Sequence, residues 1–335
     1  MKKVLIYAQQ FGFASTVVGP LEVFAYTGTM WNYLTGADFA PRFTVQVASL
    51  DGRPVLTRTG LKIEVDVAIL EAEQADVILV TSCGEAIESC LQLSAPVIPW
   101  LQQQSARGAL IGSVCTGMAL LAAAGLLDGK RATTHWGMID KVRRCFPSVH
   151  MEPDQLYIEQ GNIITAGGGY AGNDLALYLV EKLCGKEMAR QCANALLLDM
   201  GRSSQSMYAG IMHHRMHHDE RVQSIQQWLE QHYDSEINLD ELARQHGMSP
   251  RNFKRRFTDA AGETPLNYLQ KIRVEAAKQL LENSSSQVEQ VAERVGYRDV
   301  NHFRRLFKRH AGMTPARFRA ISRRVSQAPL TSNIK

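Results

Sequence analysis

The chain is short of the features that staple a protein or anchor it. Its six cysteines (Cys83, Cys90, Cys115, Cys145, Cys184 and Cys192) include no C-x-x-C pair, which argues against a zinc site or a disulfide framework. The apolar run Val4–Ala8 behind Lys2-Lys3 is shorter than a signal-peptide core. Residues 111–127 are broken by Ser, Thr and Gly and stop at Asp128, short of a membrane span. A soluble cytoplasmic protein with no membrane partner is expected. Neither sign of charge dominates: the net charge is +4 in 335 residues. That balance hides an asymmetry. Residues 221–324 hold 19 Lys/Arg and 12 Asp/Glu, whereas residues 1–220 hold 17 and 21. A basic C-terminal part on an acidic partner fits a nucleic-acid reader joined to a separate module.

What is present is a pattern written twice. Leu239, Leu242, Ala243, Gly247, Ser249-Pro250, Phe253, Arg255, Phe257, Gly262 and Thr264-Pro265 recur as Val288, Val291, Ala292, Gly296, Asp299, Phe303, Arg305, Phe307, Gly312 and Thr314-Pro315. Such register over a whole unit marks an internal repeat. Each copy reads as a helix-turn-helix. The apolar i, i+3, i+4 spacing makes a first helix, Gly247 or Gly296 stops it, and Ser249 or Asp299 caps a second. Each second helix turns two phenylalanines inward and leaves basic and amide side chains outside. Arg251, Asn252, Lys254 and Arg255, with Asn301, His302, Arg304 and Arg305, are the expected contacts to double-stranded DNA. Between the copies, Thr264-Pro265 caps a helix expected to run to about Glu282, with Leu266, Leu269, Ile272, Ala276 and Leu280 at helical spacing and no proline inside.

Over residues 218–324 the chain resembles the AraC/XylS family of bacterial transcription regulators, through the doubled unit, both Gly-x-Thr-Pro segments and the Val295-Gly296-Tyr297 turn. The resemblance implies a regulator, and activation by recruiting RNA polymerase.

The first 200 residues read differently. Apolar segments at 3–8, 43–48, 76–81 and 109–114 suggest parallel strands, and segments near 96–106, 116–126 and 171–199 suggest helices. Gly19-Pro20 is expected to open another helix. Alternating strands and helices predict an α/β fold, a parallel sheet covered on both faces in a flavodoxin-like sandwich. Ser113-Val114-Cys115-Thr116-Gly117 joins a strand to a helix with small residues two before and two after the cysteine, the pattern of a nucleophile elbow. A thiol at a helix N-terminus has its thiolate favoured.

Cys115, His135 and Glu22 together resemble the acid–cysteine–histidine pocket of the PfpI-like branch of the class I glutamine amidotransferase superfamily. The resemblance is closest to the subgroup fused to an AraC-type domain, through Gly19–Phe24, Ser113–Gly117, Ala132–Trp136 and Ala171–Ala176. Gly84 stands where that fold offers a backbone N–H to the pocket. Two positions depart from the pattern. PfpI-type peptidases place a histidine after the cysteine, where this chain has Thr116. Amidotransferases carry a His-x-Glu before the last long helix, where this chain has Gly167-Gly168-Gly169-Tyr170. With no base beyond His135, the domain is expected to bind rather than to turn over, without cofactor or metal. If it is active, Cys115, His135 and Glu22 are the catalytic candidates.

The expected organisation is a sensor domain at 1–205, a linker at 206–220, an all-α double helix-turn-helix domain at 221–324 and a disordered tail at 325–335. His213/His217 and His214/His218 have i, i+4 metal-ligand spacing, but no third ligand stands near, so a polar linker is expected. The reading is a homodimeric DNA-binding regulator that senses a small molecule through Glu22, Gly84, Cys115, Thr116, His135 and Trp136. The resemblance suggests amino acids, betaines or carnitine, for which Trp136, Tyr26 and Tyr170 could form an aromatic wall. Two rivals stay open: a cysteine hydrolase or glyoxalase-like enzyme, and a thiol redox sensor, each fused to a DNA-binding domain.

Overall fold

In the computed structural model the chain forms two compact units, Met1–Gln205 and Ser206–Lys335. The structure describes residues 1–205, Tyr208, His217 and 219–326. His213, His214 and His218, most of the expected linker and the tail from 327 lie outside the described residues.

The first unit is an α/β sandwich. Its elements run β1 (Lys2–Tyr7), α1 (Ser15–Tyr26), α2 (Met30–Thr35), β2 (Phe43–Ser49), β3 (Val55–Leu56), β4 (Lys62–Ile63), β5 (Val67–Ala68), β6 (Val77–Val80), α3 (Ile87–Ser94), α4 (Val97–Ala106), β7 (Leu110–Val114), α5 (Met118–Ala123), β8 (Arg131–Ala132), α6 (Ile139–Cys145), β9 (His150–Met151), β10 (Tyr157–Gln160), β11 (Ile163–Ala166), α7 (Ala171–Cys184) and α8 (Lys186–Ala195). Seven strands pair in the order β10-β11-β7-β6-β1-β2-β5, parallel except for the β10 edge.

Apolar runs without visible alternation still alternate between two cores. Leu5 and Tyr7 of β1 face the layer of α3–α6, while Val4 and Ile6 face α1, α7 and α8. Chain order reverses between β1 and β6, so the carboxyl ends of these strands flank the crevice where open α/β sheets bind ligands.

Two expectations need correction, and one element was not expected. The helix at Gly19-Pro20 begins four residues earlier, at Ser15, and carries Pro20 inside it. The expected helix over 171–199 is two helices, broken at Gly185, whose φ of 90° ends α7. The hairpin β10–β11, turned at Gly161 with φ 70°, shows only as two short segments without a strong sequence pattern.

The second unit is all-helical: α9 (Glu220–His232), α10 (Leu239–Gln245), α11 (Pro250–Ala261), α12 (Pro265–Asn283), α13 (Val288–Arg294), α14 (Val300–Ala311) and α15 (Pro315–Ser326). Expected caps are in place. Ser249 accepts from the Asn252 N–H, Thr264 from the Asn267 N–H, and Asp299 from the N–H groups of Asn301 and His302. Two small cores result. The first is built on Phe253, Phe257 and Ile225, the second on Phe303, Phe307 and Val291. Helix α12 serves both: Tyr268, Leu269 and Ile272 enter the first core, and Val274, Ala277 and Leu281 the second. Leu266, one of the apolar residues at helical spacing, is 53% exposed: it lies in the first turn, ahead of both cores. Among the described residues no helix is long and apolar enough to cross a membrane.

Candidate functional site

Cys115 follows β7 and has φ +57°, one of three described non-glycine residues in the left-handed region. Such a backbone costs about 1–3 kcal/mol and persists where its surroundings fix it. Here its N–H donates to the Gly167 carbonyl (2.9 Å), and its own carbonyl accepts from the Thr134 hydroxyl (2.7 Å). Gly117 must be small, since a Cβ there would lie 2.4 Å from the carbonyl oxygens of Val80 and Thr81. The elbow geometry expected from the small residues is present.

Its chemical surroundings differ from the expectation. Cys115 is 4% exposed, and burial pushes its thiol pKa up, opposed by hydrogen bonds with Ser82 and Thr116. The helix that follows has six residues, a short source of dipole. Thr116 turns its hydroxyl away from bulk water, accepting from the Cys83 N–H (3.1 Å) and meeting the Ser82 hydroxyl (3.0 Å). The Gly84 N–H is occupied by Ser82 Oγ (3.1 Å), although Gly84 keeps the φ of +74° that brings it close to Phe11.

Glu22 is not in this cluster. Residues 16, 17, 20, 23 and 24 form the buried face of α1, and Glu22 is exposed. At about 100° per residue it points away from the centre of that face. The α1 side chain that reaches the elbow region is Thr16, fully buried, whose hydroxyl accepts from the Ser82 N–H (3.3 Å). Starting the helix at Gly19-Pro20 gives the wrong phase; starting it at Ser15 brings Thr16 to the inner face. Tyr26 lies about 15 Å further along α1 from Thr16. It and Tyr170 are exposed (39% and 71%), so the aromatic wall does not assemble around the elbow.

His135 and Trp136 form the far side of the site. His135 Nδ1 accepts from the Gly137 N–H (3.0 Å), and its ring lies against Gly168, where a Cβ would come within 1.9 Å of Cδ2. Burial lowers its pKa, so the ring is neutral at pH 7. Trp136 is half-buried, with ring centroids 5.2 Å from His135.

The loop is held by a residue that sequence reasoning placed at the edge of a polar linker. Gln205 is 3% exposed. Its amide nitrogen donates to the Thr134 carbonyl (2.7 Å), the Thr133 hydroxyl (3.1 Å) and the Gln155 carbonyl (3.2 Å), and its oxygen accepts from the Trp136 N–H (3.2 Å). Three residues earlier, Arg202 holds the buried carboxylate of Asp174 in a two-point ion pair, with Nε 2.9 Å from Oδ1. The last residues of the first unit are thereby fastened over the elbow. No sequence signal separates Gln205 from its Ser/Gln-rich neighbours.

A cavity of about 410 Å³ opens at the carboxyl ends of β1 and β2, beside the loop after β6. Gln9, Phe11, Asp51, Cys83, Cys90 and Ser94 contribute to its walls. Sequence reasoning missed it because its lining comes from four separated segments with no shared motif.

In the second unit all eight expected DNA residues (Arg251, Asn252, Lys254, Arg255, Asn301, His302, Arg304 and Arg305) are exposed on α11 and α14. Arg256, on the same basic helix, is drawn away by a two-point pair with Asp219 (2.7 and 3.1 Å). Arg273, in the middle of α12, donates to the carbonyls of Tyr233 and Ser235 (both 2.7 Å) and lies 5.0 Å over the Tyr297 ring. It ties the first helix-turn-helix to the second.

Comparison with known proteins matches residues 2–182 to the DJ-1/PfpI family and residues 242–321 to a helix-turn-helix domain. The HTH-type transcriptional regulator GbdR of Pseudomonas aeruginosa is 30% identical over 287 residues, 85% of this chain and 76% of that protein. Isonitrile hydratase of Pseudomonas putida is 35% identical over 151 residues, 45% of this chain and 64% of the enzyme. The crystal structure of Drosophila melanogaster DJ-1beta superposes with a TM-score of 0.50 at 22% identity, covering 59% of this chain and 98% of that one, a likeness of fold.

Proposed function

The chain belongs to the DJ-1/PfpI family and carries a helix-turn-helix domain after it, and on that premise we propose that it is a DNA-binding transcription regulator controlled by a small effector bound in its first unit. The observation that carries the DNA reading is the pair of capped helices α11 and α14, each with an exposed basic and amide face, joined through α12. That helix has 19 residues, about 28 Å of rise, a span suited to placing two readers in successive major-groove segments about 34 Å apart. A homodimer acting in the cytoplasm and recruiting RNA polymerase completes the reading.

For the first unit the reading is binding without turnover. Cys115 is desolvated and its thiol pKa is raised. The groups beside it are hydroxyls of Ser82 and Thr116 rather than a carboxylate, so little activates the sulfur. The effector would contact the elbow and the His135–Trp136 loop, which Gln205 links to the chain's exit. An amino acid or quaternary amine would place its cation against Trp136.

Two measurements test this. Selection from random DNA with the full chain should enrich two half-sites about one helical turn apart; recovery of no preferred sequence would refute sequence-specific reading. A thermal-shift screen with amino acids, quaternary amines and isonitriles should give a ligand that raises the melting temperature by mass action, with binding weakened by Trp136→Ala. Consumption of an isonitrile, lost in Cys115→Ala, would instead establish an enzyme.

A further inference from the structure

The elbow cysteine is not the thiol best placed for chemistry. Cys83, in the loop after β6, and Cys90, in α3, stand seven residues apart and face one cavity. The two side chains are near enough for each thiol to shift the other's ionisation. Each is also fixed from behind. Cys90 Sγ lies 3.0 Å from Gln9 Oε1, and the Gln9 amide nitrogen is anchored on the Thr81 carbonyl (2.6 Å). The Cys83 N–H donates to Thr116 Oγ1 (3.1 Å), and its sulfur lies 3.8 Å from the Thr116 carbonyl oxygen. Cys83 is 4% exposed and forms part of the cavity wall, so a small molecule that enters the cavity lies beside it.

The two thiols are not equivalent. The neighbouring Cys90 thiol lowers the Cys83 pKa, against burial, and Thr116, the Cys83 N–H and the charge of Lys141 act in the same direction. Cys90 is pushed up by the Cys83 thiol and by burial. Cys83 is therefore the sulfur that ionises, and Cys90 the one that keeps its proton. The Cys90 S–H donates to Gln9 Oε1 (3.0 Å), which holds its proton away from solvent.

We propose that Cys83 and Cys90 form a redox-active dithiol that a small hydroperoxide entering this cavity oxidises to an intrachain disulfide. The Cys83 thiolate attacks one peroxide oxygen and the O–O bond breaks. The alkoxide, or hydroxide from hydrogen peroxide, leaves and takes up a proton, and Cys83 becomes a sulfenic acid. The Cys90 sulfur then attacks the Cys83 sulfur; the S–S bond forms, the S–O bond breaks, and hydroxide leaves with the Cys90 proton as water. Two thiols lose two electrons and two protons, and the peroxide is reduced to an alcohol and water, or to two waters. A dithiol reductant reverses the change by thiol–disulfide exchange. The bond would tie α3 to the loop carrying Cys83, next to Thr116 and the elbow. This inference stands apart from the effector reading.

The sequence makes the test clean. Residues 63–107 contain no Lys or Arg before Arg107 and hold Cys83 and Cys90 alone among the cysteines; residues 108–130 hold Cys115 alone. The reduced full-length protein is treated with limiting hydrogen peroxide, denatured, alkylated and digested with trypsin. The 63–107 peptide should be lighter by two hydrogens and resist alkylation until dithiothreitol is added, while the 108–130 peptide stays reduced. Cys90→Ser should stop at a Cys83 sulfenic acid that dimedone traps, and Cys83→Ser should leave Cys90 unoxidised. Oxidation of Cys115 with 63–107 unchanged would overturn the proposal, as would Cys90 oxidation in Cys83→Ser.

Discussion

The side-chain amide of Gln205 donates to the carbonyl oxygen of Thr134 at 2.7 Å, and the Thr134 hydroxyl donates to the carbonyl oxygen of Cys115 at the same distance. Two hydrogen bonds and one residue thus join the exit of the first unit to its elbow. Gln205→Ala would strip the Trp136 N–H and the Thr134 carbonyl of a buried partner, and each orphaned group costs about 1–3 kcal/mol. The variant should unfold at lower urea with an unchanged m-value, and effector binding should no longer alter its affinity for DNA. Wild-type stability together with wild-type coupling would remove Gln205 from the mechanism.

His135 gives a pH signature. Burial lowers its pKa below the unfolded value near 6.5, so as pH falls the unfolded chain takes up the proton first. The contribution of His135 is fully present above about pH 6.5 and is lost as pH drops through the folded value. Melting curves from pH 7.5 to 5 should therefore fall more steeply for wild type than for His135→Gln, whose amide does not titrate. Parallel curves would assign the acid sensitivity to another group.

Legibility followed the range of the signal. The helix-turn-helix units were readable because caps and stops are local: Ser249, Asp299, Gly247 and Gly296 each act on their own few residues. The elbow was readable because Ser113 and Gly117 record a steric demand in the chain itself. Glu22 was misread because the facing of a helical residue depends on where its helix starts, and Pro20 inside α1 looked like a beginning. The Gln205 staple and the Cys83–Cys90 pair were not readable. Gln205 acts on partners 50 to 72 residues away, and the seven-residue spacing of the cysteines matches no ligand or redox motif.

The repeat is symmetric in sequence but not in cost. Gly247 and Gly296 occupy matching positions with φ of 68° and 82°. A Cβ on Gly247 meets nothing within 4 Å, whereas one on Gly296 would lie 2.9 Å from the Arg273 guanidinium and 3.0 Å from the Asp234 carbonyl oxygen. Arg273 cannot simply swing aside, because it is bonded to two carbonyls. Gly247→Ala should cost about 1–2 kcal/mol for its left-handed backbone alone. Gly296→Ala should cost more, and in an Arg273→Ala background the excess should shrink. Equal losses in the two single variants, measured by denaturant titration, would show that Arg273 yields freely.

Neighbouring arginines on α14 should behave differently towards DNA. Arg304 is held by Glu289 of α13 at 2.6 Å, while Arg305 makes no ion pair among the described residues. If Arg305 reads a guanine edge, Arg305→Ala should lose about 1–3 kcal/mol at one base pair of the selected site and leave discrimination elsewhere intact. Arg304→Ala should cost less, since part of its charge is already answered. Glu289→Ala, which releases Arg304, should tighten binding evenly across sequences and steepen its salt dependence, as one more phosphate contact would. Anisotropy titrations over single-base variants at two salt concentrations separate these cases. An even loss for Arg305→Ala at every variant would move that residue from base to backbone.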